Sequence, residues 1–273
     1  MNEQNLDYLS RQIKFTGFGE GHEKDLKEKM ESGIADFVLT HDQEFGQDST
    51  KATLHFRKSE TIDLYFFNRY DLVVQGHQQS EPVKQTFYIN PKVDHVSLKE
   101  GYNLLKGRSV HKEYQPKEGE KYKVWLQLDL KDTDKNGQYK IKQFHPNYGF
   151  DLEVTIHKYP IQELNTVEGT KRLIESLERG NRQLVTYGEP GDEQKIYVEA
   201  SPQFKSINLY DDSMRRILAG GLQKKPELAA SPKEVLPEKL VPPSPTKKES
   251  LENPLIKKGK DIPKKQKRQK MPR

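Results

Sequence analysis

Three stretches of this 273-residue sequence carry residue types at spacings that could do chemistry. Asp132-Thr133-Asp134-Lys135-Asn136-Gly137 matches the first six positions of a calcium loop, where alternate oxygens and a glycine turn surround the ion. Its twelfth position, where a bidentate glutamate belongs, is Gln143, and both flanks alternate as strands. Asn136-Gly137 between alternating runs is a hairpin signal by itself, so a turn without calcium is expected. Gly17-Phe18-Gly19-Glu20-Gly21 has glycines that would let backbone N–H groups approach a phosphate at a helix start. It follows a helix instead of a strand, lacks Gly-Lys-Ser/Thr and places Glu20 where phosphate would sit, so a helix–helix connector is expected. The third stretch is basic. Lys257, Lys258, Lys260, Lys264, Lys265, Lys267, Arg268 and Lys270 belong to the last 17 residues, which hold nine positive charges and one negative, Asp261. Such a run attracts polyanions by counterion release without sequence specificity, and these eight are the expected nucleic-acid-binding residues.

Other chemistry is harder to place. The histidines, His22, His41, His55, His77, His95, His111, His145 and His157, show no His-x-x-x-His or His-Glu-x-x-His spacing. His55 alternates with the apolar positions of its strand and is expected to be exposed. There is no cysteine, which removes disulfides, thiolate nucleophiles and Cys-based metal sites together. No metal and no cofactor are therefore expected. Paired carboxylates assemble in space and not in sequence, so abundant acids name no catalytic pair, and no Gly-x-Ser-x-Gly elbow is present. No catalytic residue is assigned. Tyr65-Phe66-Phe67-Asn68-Arg69-Tyr70 and Phe144-His145-Pro146-Asn147-Tyr148-Gly149-Phe150 could stack bases of a single strand, with Arg69 on its backbone. Sheet core plus a bend is the stronger expectation, because the segment that holds them is acidic and repels phosphate unless Lys and Arg gather on one face.

The elements that would position these residues follow from composition and periodicity. Residues 1–220 hold 31 Lys and Arg against 35 Asp and Glu, together with all the aromatic residues; residues 221–273 hold 15 against 6 and nine of the 16 prolines. The net charge of +5 thus divides into an acidic folded body and a basic C-terminal tail expected to be disordered. No apolar run approaches the roughly 18 residues that span a bilayer, and the acidic start lacks the apolar core of a signal peptide. A soluble, cytoplasmic protein without membrane contact is expected.

The body shows one pattern three times. After a first helix carrying Leu6, Leu9 and Ile13, helical stretches at 22–32, 97–106 and 169–179 stop at Gly33, Gly107 and Gly180, where a left-handed residue would sit. Each is followed by a short strand (36–40, 109–112, 183–187), a turn glycine (Gly46, Gly119, Gly191) and a stronger strand around 52–56, 122–130 or 196–198. Closing strands are expected at 62–67, 138–144 and 204–210. Further pieces are strands at 70–75 and 85–90, helix at 150–158 and 161–164, and a helix ending near Leu218. The fold class is α+β: three related helix-plus-antiparallel-sheet units, with boundaries at 1–95, 96–160 and 161–220, and the tail at 221–273.

The segments Phe15-Thr16-Gly17-Phe18-Gly19-Glu20-Gly21, Leu104-Leu105-Lys106-Gly107-Arg108-Ser109-Val110, Asn147-Tyr148-Gly149-Phe150-Asp151-Leu152 and Ser201 to Asp211 resemble an uncharacterised family of bacterial proteins associated with conjugative-transposon-type mobile elements. The resemblance covers most of residues 1–215. It implies a prokaryotic cytoplasm and a DNA-processing context, and it carries over no catalytic residue. The expected function is a non-enzymatic accessory protein whose body binds a protein partner and whose tail makes non-specific contact with DNA or RNA. A body that grips nucleic acid through aromatic sheet surfaces, or an enzyme with a carboxylate site, are the alternatives.

Overall fold

The computed structural model describes residues 2–77, 79–90, 94–114 and 119–218. The tail, with its expected disorder and its basic residues, lies outside the described residues.

The chain begins with α1 (Glu3–Ile13), capped by the Asn2 side chain, which buries Leu6, Leu9 and Ile13. A π-helical turn, Lys14–Phe18, leads through the glycine run to α2 (Glu23–Glu31), and Lys14 pairs with Glu20 across that connector. The glycine run is thus a helix–helix link. A four-stranded antiparallel meander follows: β1 (Asp36–Phe45), β2 (Asp48–Lys58), β3 (Tyr65–Gln75) and β4 (Val83–Tyr88). Next comes α3 (Leu98–Leu105) with a three-stranded meander, β5 (Val110–Tyr114), β6 (Tyr122–Thr133) and β7 (Tyr139–Phe144). The last part holds α4 (Leu152–Ile156), α5 (Val167–Glu178) and a sheet ordered from β11 (Arg216–Ile217) through β10 (Ser206–Tyr210) and β9 (Gln194–Ser201) to β8 (Gln183–Tyr187). The fold is α+β, with three helix-plus-antiparallel-sheet units.

Local chemistry fixes the helix ends. Ser97 and Glu100 form a reciprocal capping box at the start of α3, and Thr166 accepts the Gly169 N–H at the start of α5. Gly33, Gly107 and Gly180 have φ of 69°, 77° and 75°, the left-handed region that glycine enters without steric cost. After α3 and α5 the bonding is a full Schellman motif: Gly107 N–H donates to Leu104 O and Arg108 N–H to Asn103 O, matched by Gly180 to Leu177 and Asn181 to Ser176.

The helices are shared between sheets. In α3 seven of eight residues are buried, which requires cover on more than one side. One side meets the first sheet at Gly101, where a Cβ would lie 2.9 Å from Tyr70 Oη and 3.1 Å from Leu72 Cδ2. The other meets the second sheet, where buried Lys112 of β5 reaches Glu100 at 3.0 Å. Similarly α5 sends Glu178 to His111 of β5 and Leu173 and Leu177 into a core with Val185, Ile196 and Val198. Each of α3 and α5 is therefore shared by two sheets, and alternation along the strands divides the middle sheet between two cores: Val110 and Leu128 join the first, Trp125 and Phe144 the second. The β6–β7 hairpin also closes the β4 edge, with Tyr139 N–H donating to Gln85 Oε1 (2.8 Å) and Thr86 N–H to Gln138 Oε1 (2.6 Å).

Five local expectations change. The separate strands at 62–67 and 70–75 are one strand, β3, in which Asn68 is an extra residue: Phe67 pairs with Phe56 and Arg69 with His55. That bulge lets both Phe67 and Tyr70 face the core although they differ in parity. The strand at 204–210 begins only at Ser206, after a 3-10 turn at Pro202–Phe204, and helix at 150–158 and 161–164 contracts to α4 and a 3-10 turn at Gln162–Asn165. Instead of a helix before Leu218, Asp211 accepts the N–H of Arg215 and turns the chain back to pair Ile217 with Leu209. His55 is part-buried, 2.7 Å from Asp71 Oδ2, because the outer face of the first sheet carries an Asp71–Thr86 bond beside it.

The calcium-like segment is a turn. Asp134 Oδ1 accepts the N–H of Asn136 and of Gln138, and Gly137 has φ 73°. Among the described residues no group of three or more His, Asp or Glu side chains is placed to hold a metal, and no helix is long and apolar enough to cross a membrane.

Candidate functional site

Period-two alternation in β5 turns Val110 and Lys112 toward α3 and His111 the other way, toward α5. Register then sets a ring system. His111 pairs with Trp125, and the two rings stack at 4.6 Å and 12°; Trp125 pairs in turn with Phe144. Beyond Phe144 the chain reverses through a 3-10 turn at Pro146–Tyr148 and left-handed Gly149, φ 81°. The reversal sets Phe150 edge-on to Trp125 at 5.5 Å. Asp151 then caps α4 by accepting the Val154 N–H, and Ile174 and Glu178 of α5 supply the opposite wall. The result is a cleft of about 460 Å³ between the second sheet and the helices α4 and α5.

A histidine held by a carboxylate is its chemical centre. His111 Nδ1 lies 2.8 Å from Glu178 Oε1, and Lys123 Nζ lies 4.0 Å from the same oxygen. The His111 hydrogen bond holds the Glu178 carboxyl below its ordinary range, against the opposing effect of burial, and Lys123 adds to it. With Glu178 ionised, the proton between them belongs on Nδ1, which leaves Nε2 as an acceptor when the ring is neutral. His145, tilted against Tyr122 at 5.5 Å, and Glu153 add further titratable groups to the rim. Chemically the arrangement can accept a hydrogen bond, orient a water or present a cation. No serine or threonine hydroxyl is among the residues that line it.

Of the two aromatic stretches, the first supplies core: Tyr65, Phe67 and Tyr70 are buried, and only Phe66 faces solvent. The second becomes a wall of the cleft. The basic residues Lys257, Lys258, Lys260, Lys264, Lys265, Lys267, Arg268 and Lys270 lie outside the described residues. His111, Trp125 and Glu178 were not singled out as a site from sequence, since 67 residues separate the histidine from its carboxylate. The available signal was a polar histidine between Val110 and the strand's next inward residue. No protein-family model, curated protein or solved structure matches the chain.

Proposed function

We propose that this chain is a non-enzymatic accessory protein of mobile-element DNA processing, cytoplasmic, which receives a protein partner at the cleft and contacts nucleic acid through its basic C-terminal segment. The composition of the cleft carries the proposal. Phe144, Phe150, Leu152 and Ile174 make an apolar floor backed by Trp125, while Lys123, Asp151 and Glu153 form a charged rim of both signs with His145 beside it. An aromatic centre with a polar border is the anatomy of a surface that anchors one side chain of a partner protein. The charge run in the last 17 residues supports the nucleic-acid part.

The test uses the full chain with a photo-crosslinking residue at His145 or Lys123 in the native host. Partner crosslinks should be lost on Ile174→Glu, which puts a charge into the floor, and kept on an exposed control such as Glu175→Gln. Crosslinks indifferent to Ile174→Glu would exclude the cleft. For the C-terminal segment, replacing its eight named cations by Gln should weaken binding to duplex DNA and flatten its salt dependence; unchanged affinity across a salt series would exclude it. The His111–Glu178 bond favours one second possibility, activation of water at His111 Nε2. A hydrolytic activity abolished by His111→Gln with crosslinking intact would establish it.

A further inference from the structure

Although residues 1–220 are net acidic, cations stand at both ends of α3 and on or beside the strands of the third sheet. Lys99 Nζ stands 4.2 Å from the Phe45 ring centre and 4.8 Å from that of Tyr102, and Arg108 Cζ lies 5.3 Å from the same Tyr102 ring. Arg182 Cζ stacks on Tyr210 at 3.8 Å, and Arg216 reaches Asn208 Oδ1 at 2.7 Å in the adjoining strand. Two carboxylates in the neighbourhood are already committed. Asp48 takes Lys106 at 2.9 Å and the Tyr102 hydroxyl, also at 2.9 Å; Glu199 takes Arg182, Asn208 and Tyr210. Among the described residues, Lys99, Arg108 and Arg216 have no carboxylate within ion-pair distance. The Arg108 Nε is in addition buried without a hydrogen-bond partner.

We infer that Lys99, Arg108 and Arg216 form a basic track on the body that binds the phosphodiester backbone of single-stranded nucleic acid, while Arg182, whose N–H groups are taken by Glu199 and Met214, has no free edge to offer. Cations laid on tyrosine rings keep their charge fixed, and a guanidinium resting on a ring leaves its N–H edge for phosphate oxygens. Alternating rings and cations is also the construction of surfaces that follow a single strand. Burial and then neighbouring Arg108 lower the pKa of Lys99, and burial lowers that of Arg108, with Arg182 adding and Tyr102 and Glu199 opposing. An anion relieves the mutual repulsion of Lys99 and Arg108. This track lies on the body and is independent of the C-terminal segment assigned above.

The experiment measures fluorescence anisotropy of a labelled oligo-dT with the full chain in which all 15 Lys and Arg of residues 221–273 are Gln, so that residual binding reports the body. Residual, salt-sensitive binding is expected. Adding Lys99→Gln, Arg108→Gln and Arg216→Gln should weaken it at least tenfold at low salt and reduce the slope of log affinity against log salt by about 2, from three lost contacts at roughly 0.7 each. Circular dichroism of each variant shows whether the fold survives; should the triple variant unfold, Lys99→Gln with Arg216→Gln, which touches exposed residues only, should cost about 1.4 in slope. No binding by the neutralised-segment chain, or equal binding with and without the track substitutions, would overturn the inference. Competition by polyglutamate as effective as by unlabelled oligo-dT at equal charge would assign the track to acidic protein and overturn it equally.

Discussion

The three helix-ending glycines offer a test of how the units meet, because their backbone geometry is the same and their surroundings are not. Each has φ near 70–77°, so alanine at any of them meets the left-handed penalty of about 1–2 kcal/mol. Restricting the unfolded chain returns about 0.4–1 kcal/mol in every case and cancels in comparison. At Gly33 a Cβ would meet nothing within 4 Å, and at Gly107 only Leu130 Cδ1 at 3.6 Å, an ordinary contact. At Gly180 it would lie 2.8 Å from Ser109 O and 3.1 Å from both Asn103 Cβ and Val110 Cγ2. A backbone carbonyl cannot turn aside as a side chain can, so the α5 end must shift from the second sheet at an added cost of about 1–3 kcal/mol. Expected losses are therefore about 1 kcal/mol for Gly33→Ala and Gly107→Ala and about 2–4 kcal/mol for Gly180→Ala. At about 2–4 °C per kcal/mol, Gly180→Ala should lower Tm by roughly 5–15 °C, against a few degrees for the others. Urea and thermal unfolding followed by circular dichroism would measure this, and fluorescence of Trp125, the only tryptophan, reports directly on the junction concerned. Three losses within about 0.5 kcal/mol of one another would refute the claim that close approach at Gly180 joins the units.

Other expectations concern the buried polar groups. Lys112→Met leaves Glu100 buried without its cation and should cost about 3–5 kcal/mol, whereas Lys112→Met with Glu100→Met should recover much of it; a double-mutant cycle in urea decides. His22 is held below its ordinary pKa of 6.5 by burial and then by His41, whose Nδ1 lies 3.0 Å from His22 Nε2, with Asp25 opposing. The unfolded chain therefore takes up the proton first as pH falls, so stability is full above 6.5 and declines toward the lower folded pKa. His22→Gln should flatten that decline, read as Tm against pH. Gln85→Ala removes the acceptor of the Tyr139 N–H and should cost about 1 kcal/mol, with faster amide exchange in the β6–β7 hairpin as the local sign.

What sequence could reveal here was local. Gly33, Gly107 and Gly180 mark helix ends by a rule of three or four residues, and Asn136-Gly137 marks a hairpin in the same way. The bulge at Asn68 escaped because it breaks alternation: by parity Phe67 and Tyr70 belong to different strands until one unpaired residue restores their common face. The candidate site was less legible. His111 meets Glu178 only because α5 returns to the second sheet, a tertiary fact to which no periodicity within either segment refers. Of the rings beside Lys99, Tyr102 belongs to its own helix and Phe45 to β1, so the second contact is tertiary.

The sharing of α3 by two sheets also decides where this chain tolerates interruption. A break just ahead of α3 would sever a helix from Tyr70, Leu72 and Phe87, exposing apolar surface on both sides of the cut. The hairpin tips are different. At Gly46 and Gly191 a side chain would meet nothing within 4 Å, so the turn from β1 to β2 and the turn from β8 to β9 are where a tag, a fluorophore or an inserted domain can be accommodated. The points of free access lie within the units, at these hairpin tips.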